Sequence, residues 1–162
     1  MAVKLAAARK ADVTVFTTSP GKIADARRLG AREVVLSSDT AAINRLANQF
    51  DLLIATIPQA FPMQPFVDVL KLNGALVNVG AMEQLQGVHG MKLAIGRKSL
   101  AGSIIGGIAE TQEVIDYCTA RNIKADIELV RPEDINRAFE RVVNKDARYR
   151  FVIDMAPLKK VA

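Results

Sequence analysis

Thr17, Thr18, Ser19 and Lys22 stand close together, with no acidic side chain among them. Three hydroxyls that donate hydrogen bonds and one ammonium are what a phosphate dianion needs. The alternative is structural. Ser19 ahead of Pro20 is ordinary punctuation at the start of a helix, where a serine oxygen accepts from orphan backbone N–H groups. Both roles are compatible with one turn. A second group lies where apolar runs end: Thr56, Val79, Gly80, Ser103 and Ile105. In open α/β sheets, ligands collect at the carboxyl ends of parallel strands. Plain strand-end packing is the competing explanation.

Other reactive types are scarce. His89 is the only histidine and Cys118 the only cysteine. His89, beside Gly90 in an irregular stretch, reads as a surface residue. Cys118 reads as a small residue on the buried face of a helix. A catalytic zinc site takes three protein ligands, and no Cys/His set of that size exists here. A single cysteine also forms no disulfide within the chain, which fits a reducing, cytoplasmic setting.

These residues need elements to hold them. Residues 1–10 read as a helix with Val3, Ala6 and Ala7 on one face. Asp12–Phe16 is a strand, 22–29 a helix with Ile23, Ala26 and Leu29 inward, and Glu33–Ser37 the next strand. Gly30 is placed to end its helix in a left-handed conformation. Thr40 caps a helix with the apolar face Ile43, Leu46, Ala47 and Phe50. Asp51–Thr56 is a buried strand; Pro58, Pro62 and Pro65 break the chain; a short helix carries Phe66, Val69 and Leu70. Ala75–Val79 is a strand, 82–98 is irregular, and Leu100–Ile105 is a strand ending at Gly106-Gly107. The alternation argues for a parallel sheet covered by helices on both faces.

The last third differs. Residues 110–121 read as a helix with Val114, Ile115 and Cys118 inward. Asp126–Val130 alternates polar and apolar, with one wet face. A helix beginning near Pro132 buries Ile135, Ala138, Phe139 and Val142, and Tyr149–Ile153 is a final strand. The fold class expected is therefore a doubly wound, Rossmann-like parallel sheet with a C-terminal α+β segment.

A doubly wound nucleotide-binding unit opens with a strand, a glycine-rich turn and a helix. This chain opens inside what reads as that helix, and G-x-G-x-x-G occurs nowhere; Gly102-Ser-Ile-Ile-Gly-Gly107 has the wrong spacing. The absent strand would be the central one. Its loss is expected to split the sheet and expose two edges, and exposed edges invite pairing with another chain.

Several segments together resemble the zinc-dependent medium-chain alcohol dehydrogenases of the cinnamyl-alcohol-dehydrogenase type. They are Met1–Ala6, Val13-Thr-Val-Phe-Thr-Thr-Ser-Pro-Gly-Lys22, Leu29-Gly-Ala-Arg-Glu-Val-Val35, Val77-Asn-Val-Gly80, Gly102–Gly107, Glu110-Thr-Gln-Glu113, Ala125-Asp-Ile-Glu128 and Tyr149-Arg-Phe-Val-Ile-Asp154. Each is weak alone, and their shared order along nearly the whole chain is specific. The resemblance covers the C-terminal part of such an enzyme.

It implies a truncated cofactor-binding unit over 1–107 and, over 108–162, a segment completing the catalytic unit of the parent. An acidic residue after the second strand of the intact fold accepts from both ribose hydroxyls and repels a 2′-phosphate. Thr17, Thr18, Ser19 and Lys22 resemble the NADP pattern instead. By the same resemblance, Val79, Gly80, Ser103 and Ile105 hold the nicotinamide carboxamide, Thr56 lies near the ribose, and Arg150 reaches the pyrophosphate. Zinc belongs to the parent enzyme only. The edge strand at Ser99–Gly102 implies a homodimer. This chain alone is expected to be inactive, with weak cofactor binding at best.

Charge and hydropathy narrow the rest. A net charge of +5 without a run of five like charges reads as solvated surface, so no nucleic-acid partner is expected. No apolar stretch approaches membrane-spanning length, and residues 1–10 lack the features of a signal peptide. A methyltransferase would want a glycine-rich loop after its first strand and an acid after its second, and has neither here. A non-catalytic protein assembling through exposed sheet edges is the remaining alternative.

Overall fold

The structure is a computed structural model that describes residues 1–80, 83–144, 146–147 and 149–160. In chain order the elements are α1 (Ala2–Ala8), β1 (Thr14–Thr17), α2 (Ile23–Arg28), β2 (Glu33–Leu36), α3 (Thr40–Arg45), β3 (Phe50–Ala55) and α4 (Gln64–Asp68). They continue with β4 (Leu70–Asn78), α5 (Gly90–Gly96), β5 (Ser99–Gly102), α6 (Ile108–Ala120), β6 (Glu128–Val130), α7 (Ile135–Val143) and β7 (Phe151–Ile153). Every ladder is parallel, and each paired couple of strands is joined by the helical crossover that parallel pairing needs.

The strands form three sheets: β1-β2, β3-β4-β5 and β6-β7. The nucleotide-type sheet is thus divided, with no ladder joining β1 to β3 among the described residues. Side chains bridge the division. Phe16 on β1 meets Phe50 on β3 edge-on at 5.7 Å and Phe66 on α4 at 5.4 Å. Such edge-to-face pairs stabilise beyond the area they bury. Phe16 also packs on the buried group Val35, Ile43 and Val69. Phe50 and Leu53 connect that group to a second one, Met63, Leu70 and Leu76.

Local chemistry sets several boundaries. Gly30 has φ +114°, and a Cβ there would lie 2.7 Å from the Ala7 Cβ, so only glycine lets α2 end against α1. The cap of α3 is Asp39 and not Thr40: its carboxylate accepts from Ala42 N at 2.8 Å. α3 also stops at Arg45, and Asn48 takes φ +57°, which redirects the chain so that Phe50 opens β3 instead of extending the helix face. β4 begins at Leu70, earlier than the apolar run suggests. Leu70 pairs with Phe50, and regular pairing resumes at Ala75 with Leu52. Asn73, at φ +62°, turns the intervening chain.

Within the stretch expected to be irregular, residues 90–96 form α5; Met82 lies outside the described residues. Polar ties to α4 support this helix. Gln64 Oε1 accepts from His89 N at 2.7 Å and Lys92 pairs with Asp68 at 2.8 Å. β5 ends at Gly102 and not at Ile105. Its partner β4 stops at Asn78, and the last bond of that ladder region runs from Ser103 N to Asn78 O at 3.0 Å.

The C-terminal helices bury little. α6 has no buried residue: Val114 and Ile115 are about half exposed and Cys118 is half-buried. On α7 only Ala138 is buried, while Phe139 is 68% exposed and Val142 is exposed as well. On β6 the apolar Leu129 faces water, against the expected alternation. Spacing defines which face of an element is apolar; it does not supply the surface that covers it.

Candidate functional site

β1 delivers Thr17 to its carboxyl end. There the Thr17 hydroxyl oxygen accepts from Ser19 N at 3.2 Å, and the Thr17 carbonyl accepts from Ser37 N at 2.9 Å, which holds the turn beside β2. Pro20–Lys22 is one turn of 3₁₀ helix leading into α2. Ser19 occupies the cap position, yet its side chain makes no capping hydrogen bond. The turn therefore uses the place of Ser19 in the chain and does not engage its hydroxyl as a cap. Thr18, Gly21 and Lys22 are exposed. Lys22 forms no ion pair with any described residue. A Cβ built on Gly21 would meet nothing within 4 Å, so the backbone of the turn is open to approach.

A second cluster forms where β3, β4 and β5 end together. Val79 N donates to Ala55 O at 3.0 Å, Ser103 N to Asn78 O at 3.0 Å, and Gly80 N to the Asn78 side-chain oxygen at 3.3 Å. Gly80 is packed on the backbone of Thr56 and Ile57. A Cβ there would lie 2.6 Å from Ile57 O and 2.6 Å from Thr56 C. Thr56, Val79, Gly80 and Ser103 are thereby brought to one strand-end rim, and Asn78, which the sequence did not single out, is the residue that ties it. Its position one before Val79 was the available signal. Ile105 is not part of this rim. It is 84% exposed in the coil after β5, because the ladder has no partner there to extend it.

Arg150 lies in a third place. It lines a cavity of about 310 Å³ with Met1, Lys4, Leu29, Ala125, Asp126 and Tyr149. Asp126 accepts from Lys4 Nζ at 2.7 Å and from Arg28 at 3.2 Å. The Lys4 hydrogen bond is the larger influence holding the Asp126 carboxyl below its ordinary range, with Arg28 adding to it. Arg28 also reaches the Tyr149 hydroxyl at 3.4 Å. Burial, then the neighbouring Asp25, raises the Tyr149 phenol. Lys4, Asp126 and Tyr149 lie in segments that carry the resemblance, yet neither they nor Arg28 were singled out as site residues, because their partners are far apart along the chain.

His89 is exposed. No group of three or more His, Cys, Asp and Glu among the described residues is arranged to hold a metal ion. The donors present therefore do not fit a catalytic zinc. No helix among them is long and apolar enough to cross a membrane.

Residues 1–120 match the family model described as zinc-binding dehydrogenase. The chain belongs to that family. It is 44% identical over 159 residues to NADP-dependent alcohol dehydrogenase C 1 of Mycolicibacterium smegmatis, covering 98% of this chain and 46% of that protein. It is 40% identical to a probable cinnamyl alcohol dehydrogenase of Populus deltoides, covering 99% of this chain and 45% of the other. A solved cinnamyl alcohol dehydrogenase from Sorghum bicolor superposes with a TM-score of 0.91 at 38% identity, over 96% of this chain and 44% of that one. CAD from Helicobacter pylori, solved in complex with NADP(H), gives 0.81 at 33% identity, over 96% and 44%. The chain thus spans about half the length of the relatives it matches. The Rossmann-like α/β class read from the alternation is the class of these dehydrogenases.

Proposed function

We propose that the chain is the NADP(H)-binding part of a zinc-family alcohol dehydrogenase. The observation that carries this reading is the turn after β1. It offers the hydroxyls of Thr17, Thr18 and Ser19 and the ammonium of Lys22, which forms an ion pair with no described residue, and it carries no carboxylate to repel a 2′-phosphate. The names of the relatives, two of which state NADP, agree with it. In this reading the rim at Thr56, Val79, Gly80 and Ser103 takes the nicotinamide side of the cofactor. The close seat of Gly80 on Thr56 keeps side-chain bulk out of that rim. Arg150 takes the pyrophosphate, since a guanidinium offers forked donors to phosphate oxygens.

When bound, NADP(H) supplies the hydride exchanged with an alcohol or aldehyde. The residues of this chain bind and orient it. The zinc chemistry of the family would need ligands from outside the described residues, so the chain by itself is proposed to bind cofactor without turning over alcohol. Residues 1–107 are assigned to cofactor binding and 108–162 to completing the catalytic unit. The exposed strand Ser99–Gly102, at the end of its sheet, is assigned to pairing with a second copy.

The test is titration of the purified chain with NADPH and NADH, followed by cofactor fluorescence. NADPH is expected to bind more tightly, and Lys22→Ala to remove most of the difference. Equal affinities, or no binding of either nucleotide by a folded chain, would refute the cofactor reading.

A further inference from the structure

The apolar clusters that hold the molecule together contain no described residue after Val88. The C-terminal unit β6–α7–β7 instead meets α1 and α2 through charge. Lys4 on α1 donates to the Lys124 carbonyl at 2.7 Å and to Asp126 at 2.7 Å. Arg28, closing α2, bonds Asp126 at 3.2 Å and the Tyr149 hydroxyl at 3.4 Å, and is braced by Asp25 at 3.5 Å. Lys124–Asp126 lie one residue ahead of β6, and Tyr149–Arg150 immediately precede β7. The contacts therefore grip both strands of the parallel pair at the same end. Tyr149 holds φ +85°, a region that residues other than glycine seldom occupy. That backbone angle joins Tyr149, on Arg28, to Arg150 in the cavity.

We propose that Asp126, gripped by Lys4 and Arg28 and supported by Tyr149, is an ionic latch that docks β6–β7 on α1–α2 and so positions Arg150. The role given to Arg150 rests on the cofactor reading above; the latch does not. Asp126 is a positioning residue, acting through Arg150 and not by touching cofactor. Salt screens such partly exposed pairs, so the docking weakens as ionic strength rises.

Two measurements on the whole chain test this. The first is amide hydrogen exchange. Asp126→Asn is expected to lower protection in β6 and β7 and leave β3–β4 unchanged, while Asp126→Glu retains it. Unchanged protection in β6 and β7 would overturn the latch. The second is a double-mutant cycle read by NADPH affinity. Asp126→Asn is expected to weaken binding about two- to five-fold, the range of exposed ion pairs. It should have no further effect in an Arg150→Ala background. Equal losses in both backgrounds would overturn the positioning role. A wild-type chain that binds no NADPH would refute the role of Arg150, and the exchange result would still decide the latch.

Discussion

Replacing Gly80 by alanine is a sharp test of the strand-end rim. The added methyl would sit 2.6 Å from Ile57 O and 2.6 Å from Thr56 C, with Thr56 O at 2.8 Å. Ordinary non-bonded carbon contacts lie at about 3.5–4.0 Å. All three obstructing atoms are backbone, so relief requires β3 and β4 to separate at their carboxyl ends, against the Val79 N to Ala55 O bond. Overpacking of this kind costs about 1–3 kcal/mol. For a chain of this size each kcal/mol lowers the melting temperature by about 2–4 °C. Gly80→Ala should therefore melt lower by roughly 2–12 °C, and its NADPH affinity should fall because Thr56 and Val79 move. Gly21→Ala is the internal control. Its Cβ meets nothing within 4 Å and its φ is not positive, so its melting point should hold or rise slightly. Differential scanning fluorimetry with a cofactor titration suffices. Equal melting points for Gly80→Ala and the wild type would show that the close approach of Gly80 to Thr56 is wrong.

Leu70, the first residue of β4, is fully buried in one cluster with Met63 and Leu76, so Leu70→Ala should destabilise by about 2–5 kcal/mol, read by urea unfolding. The latch should respond to pH at both ends. Asp126 faces Lys4 and Arg28, with Tyr149 and Arg150 sharing the cavity, and its carboxyl is held below the ordinary range. Its contribution is therefore present above about pH 4 and lost as pH falls through the lowered value. Tyr149 is raised, so its contribution persists below about pH 10 and is lost in stronger alkali. Protection factors of β6 and β7 amides, corrected for intrinsic exchange, should plateau between those limits. A steady slope across neutral pH would contradict this assignment.

The residue sequence by itself determined the succession of parallel strands and helices, because apolar runs bounded by glycine and proline report burial on both faces of a sheet. It also placed Gly30 at a left-handed helix end and grouped the hydroxyls of Thr17, Thr18 and Ser19 with Lys22, since both depend on neighbours along the chain. The family resemblance was legible for the same reason: its segments are ordered and local.

What only the tertiary structure decided depends on distant partners. Asp39 displaced Thr40 as the cap of α3 because one carboxylate oxygen reaches Ala42 N. β5 stopped at Gly102 because β4 stopped beside it. The apolar spacing of Val114, Ile115, Phe139 and Val142 marked faces that no described element covers. Asn78 became the tie of the strand-end rim, and Asp126 the meeting point of α1, α2 and the C-terminal unit. An ion pair between residues 4 and 126 leaves no periodic trace in a sequence, because its energy depends on a separation that only folding creates.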